Sequence, residues 1–225
     1  MRGSYYAMSK VGLRVCALSG KMLIDAVASE IIVCEKCPLS KSRKNAVPGV
    51  GSQNSKVMLI GEAPGASEDV KGEPFVGRAG KFLDKLLLMA GLSREKVFIT
   101  NIVKCRPPGN REPKPLEIET CTAYLRRQIL IIRPEFIITL GSHSTSHIFS
   151  VAEVPFSSIT KARGRTYKAS IWDREVTVFP MFHPASALYN PEYEELLVRD
   201  FQFLRTKLPR TIFKRKQPEM RPFEN

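Results

Sequence analysis

The stretch Gly61 to Leu87, GEAPGASEDVKGEPFVGRAGKFLDKLL, follows the apolar run Val57-Met58-Leu59-Ile60 and gathers glycines and carboxylates where a strand would end. A phosphate site is the first chemistry to test. A phosphate-cradling loop needs GxxxxGK followed by Ser or Thr: backbone N–H groups wrap the phosphate, the lysine reaches it, and the hydroxyl meets magnesium. Here Gly80-Lys81 is followed by Phe82, and acidic residues crowd the loop. The dinucleotide fingerprint GxGxxG is absent too. The loop therefore serves something other than a nucleotide polyphosphate.

The cysteines offer a second chemistry. Cys34 and Cys37 form a CxxC, Cys105 and Cys121 are fifteen residues apart, and Cys16 stands alone. Without a signal peptide a disulfide framework is not expected, so four thiolates point to a metal centre. Zinc and a [4Fe–4S] cluster both accept four cysteines. Zinc sites usually pair two tight knuckles, and the second pair here is too wide, which favours iron–sulfur with zinc as the alternative.

These residues need elements to position them. Four apolar runs read as buried strands: Val57–Ile60, Val97–Thr100, Phe136–Leu140 and Val176–Phe179. Phe82, Leu83, Leu86, Leu87 and Ala90 follow a helical period that stops at Gly91. Further helices are expected from Pro115 to about Ile132, from His143 to Phe149, and from Pro191 to Lys207. Strands alternating with helices imply a parallel sheet covered on both faces, with ligands at the carboxyl ends of the strands. The segments leaving those ends begin at Gly61-Glu62-Ala63, Asn101, Gly141-Ser142-His143 and Met181-Phe182-His183-Pro184. A carboxylate, an amide and an imidazole would thus converge on one crevice.

With 225 residues, the chain has room for a single α/β domain. Lys plus Arg outnumber Asp plus Glu by 35 to 22, a net charge of +13, which favours a polyanionic partner such as nucleic acid. No apolar run approaches the ~20 residues that span a membrane. Residues 1–21 lack the pattern of a signal peptide, so a cytoplasmic protein is expected. They are read as an N-terminal extension or tag remnant, residues 22–208 as the domain, and residues 209–225 as a basic flexible tail.

GEAPG at 61–65, EPFVGRAG at 73–80, Asn101 with KCRPP at 104–108, HPA at 183–185 and the four ordered cysteines together resemble the family 4 uracil-DNA glycosylases, the iron–sulfur type of thermophilic archaea and bacteria. The resemblance runs from about Met22 to Leu208. It implies a single-domain α/β/α sandwich around a four-stranded parallel sheet, and a cluster held by Cys34, Cys37, Cys105 and Cys121. It also implies a monofunctional hydrolase that excises uracil from single- or double-stranded DNA in base excision repair.

Uracil must be flipped from a duplex into a pocket to be reached. The resemblance makes Phe75 the stacking platform and Asn101 the reader of the uracil edge, with Gly61 and Ala63 beside them. His183 is expected to donate a hydrogen bond to uracil O2 as negative charge develops there. In the best-known uracil glycosylases an aspartate stands where Ala63 does and orients water. Glu62 is therefore the first candidate for positioning water or stabilising the sugar cation, and Glu68 the second. His143 and His147 share a helix face, but no nearby ligand in sequence accompanies them, so packing is expected.

Leu188, after Ser186, is the candidate wedge that fills the gap left by the flipped base, with Tyr189 a departure from the arginine common there. Arg78, Lys81, Lys161, Arg163 and Arg165 are candidates for gripping phosphates. In the tail, Gln217, Met220 and Phe223 follow the spacing of a sliding-clamp-binding peptide. A monomer is expected. Two rival readings stand beside uracil excision: a glycosylase for another deaminated or mismatched base, and a non-catalytic DNA- or clamp-binding module.

Overall fold

The structure is a computed structural model that describes residues 20–213. Its sheet forms because the apolar runs are hydrophobic on alternate sides and can be buried on both. Val57, Leu59, Ile99, Ile138, Leu140 and Phe179 face one core. Their neighbours Met58, Ile60, Phe98, Ile137 and Val178 face the other.

In chain order the elements are α1 (Gly20–Ile32), β1 (Val50–Gly51), β2 (Val57–Gly61), α2 (Ala66–Lys71), α3 (Arg78–Met89), β3 (Phe98–Asn101), α4 (Pro115–Ile132), β4 (Phe136–Leu140), α5 (Ser142–Val151), α6 (Ile159–Ala162), β5 (Tyr167–Ile171), β6 (Arg174–Met181) and α7 (Pro191–Lys207). The strand order is β1-β3-β2-β4-β6-β5. The four expected strands form the parallel centre, with Gly61 opposite Asn101 and Leu140 opposite Met181 at the carboxyl ends.

Two further strands, one antiparallel at each edge, extend the expected four-stranded parallel sheet to six. At one edge β5 and β6 form a hairpin through Trp172 and Asp173, whose φ angles are 47° and 62°. Two positive φ values in a two-residue turn match the twist of a hairpin. Pairing with β5 also extends β6 to Arg174–Met181, beyond the expected Val176–Phe179.

Helices α3 and α7 cover one face through Leu83, Leu86, Leu87, Leu197, Phe201 and Leu204. Helix α4 covers the other with Leu125, Ile129 and Ile132, joined by Ile148 and Phe149 of α5. Helix α7 starts where Pro191 has no N–H to waste and Asn190 Oδ1 accepts the Glu192 N–H at 3.0 Å. Helix α1, not anticipated in the sequence, buries Ile24, Val27 and Ile31.

The tail boundary also shifts. Ile212 and Phe213 pack on the core cluster formed with α3 and α7, so residues 209–213 belong to the folded body. Gln217, Met220 and Phe223 lie outside the described residues, as do Cys16 and the first nineteen positions. Among the described residues no helix is long and apolar enough to cross a membrane.

Candidate active site and cysteine centre

The chain leaves β2 toward β3 on one side of the sheet and β4 toward β6 on the other, so a crevice opens between their carboxyl ends. A pocket of about 330 Å³ occupies it, lined by Glu62, Ala63, Glu68, Phe75, Asn101 and His183 from the expected set. Pro64, Gly65, Ala79, Pro107, Asn110, Arg111 and Ala185 complete the walls. Sequence reading missed Asn110 and Arg111. Only the KCRPP run just before them hinted that this loop returns to the site.

Asn101 ends β3 and is 2% exposed. Its Oδ1 is buried with no hydrogen-bond partner among the described residues. A buried acceptor left unmatched costs about 1–3 kcal/mol, so its retention marks a place for a donor. Gly61 makes room for it: a Cβ there would lie 2.3 Å from Asn101 Oδ1 and 2.8 Å from Phe75 Cζ. Backbone pairing continues past the strand ends, Ile102 N–H to Gly61 O at 2.9 Å and Val103 N–H to Glu62 O at 3.1 Å, which fixes Glu62 beside the Asn101 loop.

Phe75 adopts φ 54°, a left-handed conformation unfavourable for a bulky residue. Three features hold it there. Arg94 donates to Pro74 O at 3.1 Å and to Phe75 O, while its Nε meets Asp84 at 2.5 Å. Glu68 Oε1 accepts the Val76 and Gly77 N–H groups, both at 2.9 Å. Gly80 admits the backbone of Phe75, since a Cβ on it would fall 1.7 Å from Phe75 O. Glu68 thus lines the pocket with one oxygen already committed to shaping the loop.

The His183 ring stacks on Phe75, with centroids 5.5 Å apart and planes at 26°. Its Nδ1 accepts the Ala185 N–H at 3.1 Å, which leaves the proton of the neutral ring on Nε2. Burial lowers its pKa to about 4, against a smaller opposing pull from Glu68, so the ring is a neutral donor at physiological pH. Gly141 packs behind it, with space for a Cβ only 3.1 Å from His183 Cβ.

Desolvation raises the pKa of Glu62; His143 opposes that rise and Glu112 adds to it. The expectation that no carboxylate accompanies His143 is corrected: Glu112 Oε1 lies 3.0 Å from its Nε2. His147 instead contacts Thr122 Oγ1 at 3.3 Å. Arg111, at the rim, is held by Glu117 through two hydrogen bonds of 2.9 and 2.7 Å.

Of the other expected DNA contacts, Arg78, Lys81, Lys161 and Arg165 are exposed. Arg163 is corrected: it donates to both oxygens of buried Asp200 at 2.8 and 2.5 Å and lies over the Phe182 ring, so it braces the His183 strand end. Ser186 Oγ donates to His183 O at 2.7 Å and belongs to the 3-10 turn Pro184–Leu188. Leu188 is half-buried, whereas Tyr189 is 85% exposed.

The four cysteines come together in a separate apolar cluster with Val27, Ile31, Leu39, Val103 and Tyr124. Arg43 Nη1 donates to Cys105 Sγ at 3.0 Å and the Lys104 N–H to Cys121 Sγ at 3.3 Å. Burial pushes the Cys105 and Cys121 thiols up, Cys121 to about 11. An all-thiolate set with N–H donors aimed at sulfur suits an anionic centre.

The model of the uracil DNA glycosylase superfamily matches residues 48–205 of the chain. A type-4 uracil-DNA glycosylase of Saccharolobus solfataricus is 52% identical over 186 residues, 82% of this chain and 86% of that protein. The type-4 enzyme of Sulfurisphaera tokodaii is 51% identical over 81% of this chain and 83% of its own length. That of Archaeoglobus fulgidus is 45% identical over 80% and 90%.

Proposed function

The chain belongs to the uracil-DNA glycosylase superfamily and to its type-4 members, and on that footing we propose that it hydrolyses the N-glycosidic bond of uracil in DNA. The observation that carries the reading is the buried, unpartnered Asn101 Oδ1 in a pocket shared with Phe75, His183 and Glu62. An acceptor there fits the N3–H of uracil; cytosine presents an acceptor at N3 and is disfavoured. Phe75 supplies the face on which the flipped ring stacks.

As the C1′–N1 bond breaks, its electron pair moves onto uracil. The neutral His183 Nε2–H donates to O2, where negative charge grows, in a site already organised for it. The Glu62 carboxylate steadies the sugar cation and orients the water whose oxygen bonds to C1′, and takes the proton that water releases. Glu68 holds the Phe75 loop in shape. Uracil leaves as its N1 anion and is protonated from solvent, Glu62 gives up the proton it took, and the products are free uracil and an abasic site.

In the same reading Cys34, Cys37, Cys105 and Cys121 hold a [4Fe–4S] cluster, whose chemistry is to cross-link the residues after α1 to the Cys105 loop and α4. Exposed Arg78 and Lys81, at the start of α3, grip phosphates, and Leu188 with Tyr189 meets the duplex. The setting is the cytoplasm, beside genomic DNA. Residues 217–223 engage a sliding clamp, which deletion of 215–225 tests by loss of clamp pull-down at unchanged glycosylase rate.

The catalytic reading is tested with an oligonucleotide carrying one uracil, treated with alkali after incubation, beside an all-thymine control and His183→Ala. Cleavage at the uracil alone, strongly reduced in the variant, is the expected result. No cleavage by folded, metal-replete protein overturns the assignment, and cleavage only at hypoxanthine or mismatched thymine would move it to another base.

A further inference from the structure

Lys104 is among the largest fully buried side chains of the described residues, 1% exposed, and it does not line the pocket. Its ammonium donates to Asn101 O at 2.6 Å, Thr100 Oγ1 at 2.7 Å and Gln128 Oε1 at 2.8 Å. All three protons are used, and every acceptor is neutral. Gln128 is itself anchored, through Nε2 to Pro48 O at 2.7 Å, and Thr100 Oγ1 donates to the same carbonyl at 3.0 Å. Burying a charge on neutral acceptors is costly, offset in part by the charge of the nearby Cys121 and Cys105 thiolates, and a strand end could be capped more cheaply by an amide or a hydroxyl.

The arrangement has a direction. Asn101 O is held from behind while Asn101 Oδ1 stands unpartnered at the pocket. The next turn of chain is held as well: Val47 N–H donates to Lys104 O at 2.7 Å, and the Lys104 N–H reaches Cys121 Sγ. Asn101 reads a base edge only if its backbone stays within a fraction of an ångström of one position, because misplacement by about 1 Å can cost on the order of a hundredfold in rate. A charged donor makes roughly twice as strong a bond as a neutral one, which suits that task.

We propose that Lys104 is a positioning residue for uracil recognition: its buried ammonium fixes the backbone of Asn101 so that the side-chain amide meets the base without reorganising. The proposal rests on the reading of Asn101 as the uracil-edge reader.

The test is a double-mutant cycle with Lys104→Met and Asn101→Ala, measured as single-turnover rate and KM on a uracil oligonucleotide, with the visible absorbance of the iron–sulfur chromophore recorded for each protein. Lys104→Met in the native background should lower kcat/KM by about tenfold or more, chiefly through the turnover step. In the Asn101→Ala background the same change should cost less than about threefold, because nothing remains for it to position. Lys104→Gln, which keeps an uncharged amide donor, should restore part of the loss and serves if the Met variant does not fold.

Full additivity in the cycle overturns the inference. So does loss of the chromophore in both Lys104 variants, which would make the residue a support of the cysteine centre. An Asn101→Ala protein as active as the native one would instead overturn the recognition reading on which the proposal stands.

Discussion

Gly61 and Asn101 stand directly opposite each other at the ends of two parallel strands, and a single added methyl on Gly61 would fall 2.3 Å from Asn101 Oδ1. The nearest backbone is not the obstacle. The atoms in the way are the tip of Asn101 and the ring of Phe75, both at the pocket. Gly61→Ala is therefore expected to leave the sheet formed, cost about 1–3 kcal/mol of stability by overpacking, and lower kcat/KM on uracil DNA by about a hundredfold. Thermal melting beside the alkali-cleavage assay checks it; a near-native rate would show that Asn101 and Phe75 are not held where recognition needs them.

His183 gives a prediction about pH. Burial lowers its pKa to about 4, so the ring is neutral at physiological pH and remains so as pH falls through the ordinary histidine range near 6.5. The pH profile of kcat should show no inflection near 6.5 from this residue. The unfolded chain takes up a proton there and the folded chain does not, so stability declines as pH falls from about 6.5 toward 4. His183→Gln should weaken that decline in denaturant titrations at stepped pH, while strongly reducing the rate.

Arg163 and Arg78 separate two uses of a cation. Arg163 is bound to buried Asp200 and stacked on Phe182, whereas Arg78 is exposed at the start of α3. Arg163→Ala leaves a buried carboxylate unpaired and should cost about 3–5 kcal/mol of stability, with the salt dependence of DNA binding unchanged. Arg78→Ala should leave stability nearly unaltered and reduce the slope of log K against log salt by about one. If Arg163→Ala changed the slope and Arg78→Ala did not, the assignment would be reversed.

The central sheet and helices α3, α4, α5 and α7 were legible because both faces of each strand are buried, and because Pro115, Pro191 and Gly91 punctuate the helical periods. The β5–β6 hairpin was hidden by Trp172-Asp173, a turn without the Asn-Gly or Asp-Gly signal of that conformation. Strand β1 is two residues long and carries no period. At the site, Gly61, Glu62, Phe75, Asn101 and His183 were readable because they follow strand ends or lie in a dense motif. The burial of Lys104 and the pairing of Arg163 and Glu112 were not, since a lone charged residue reads as surface until the long-range contact that buries or pairs it is known.

Tyr189 tests the duplex side of the site. It is 85% exposed, just beyond the half-buried Leu188 at the end of the turn that begins at His183. An aromatic ring so placed can stack on a base, an interaction worth about 1–3 kcal/mol. Tyr189→Ala should raise KM for uracil in duplex DNA by about tenfold with little change in kcat, and Leu188→Ala should act mainly on the flipping step in duplex and hardly at all on single strands. Equal effects of both variants on single and double strands would mean that the turn merely packs against α7.

Glu62 is the carboxylate that must be ionised. Desolvation holds the Glu62 pKa above the ordinary carboxylate value, His143 pulls it down and Glu112 pushes it up. Since the acting form is the anion, kcat/KM should climb with pH through an acid limb displaced upward from the ordinary glutamate value. Glu112→Gln removes a repulsion and should move the limb to lower pH. His143→Ala removes an attraction and should move it to higher pH. These two residues are in contact, 3.0 Å apart, so general damage to the rim would shift both profiles the same way, while opposite shifts can arise only through charge. The linkage to folding has a fixed sign: with the folded pKa raised, the native state holds its proton longer, and stability is lost as pH rises through the raised value. Glu62→Gln should therefore be more stable than the native protein at neutral pH and nearly inactive, the pattern expected where a site keeps a half-buried charge for chemistry rather than for folding. Coincident limbs in all three proteins would mean that Glu62 does not set the acid side of the profile.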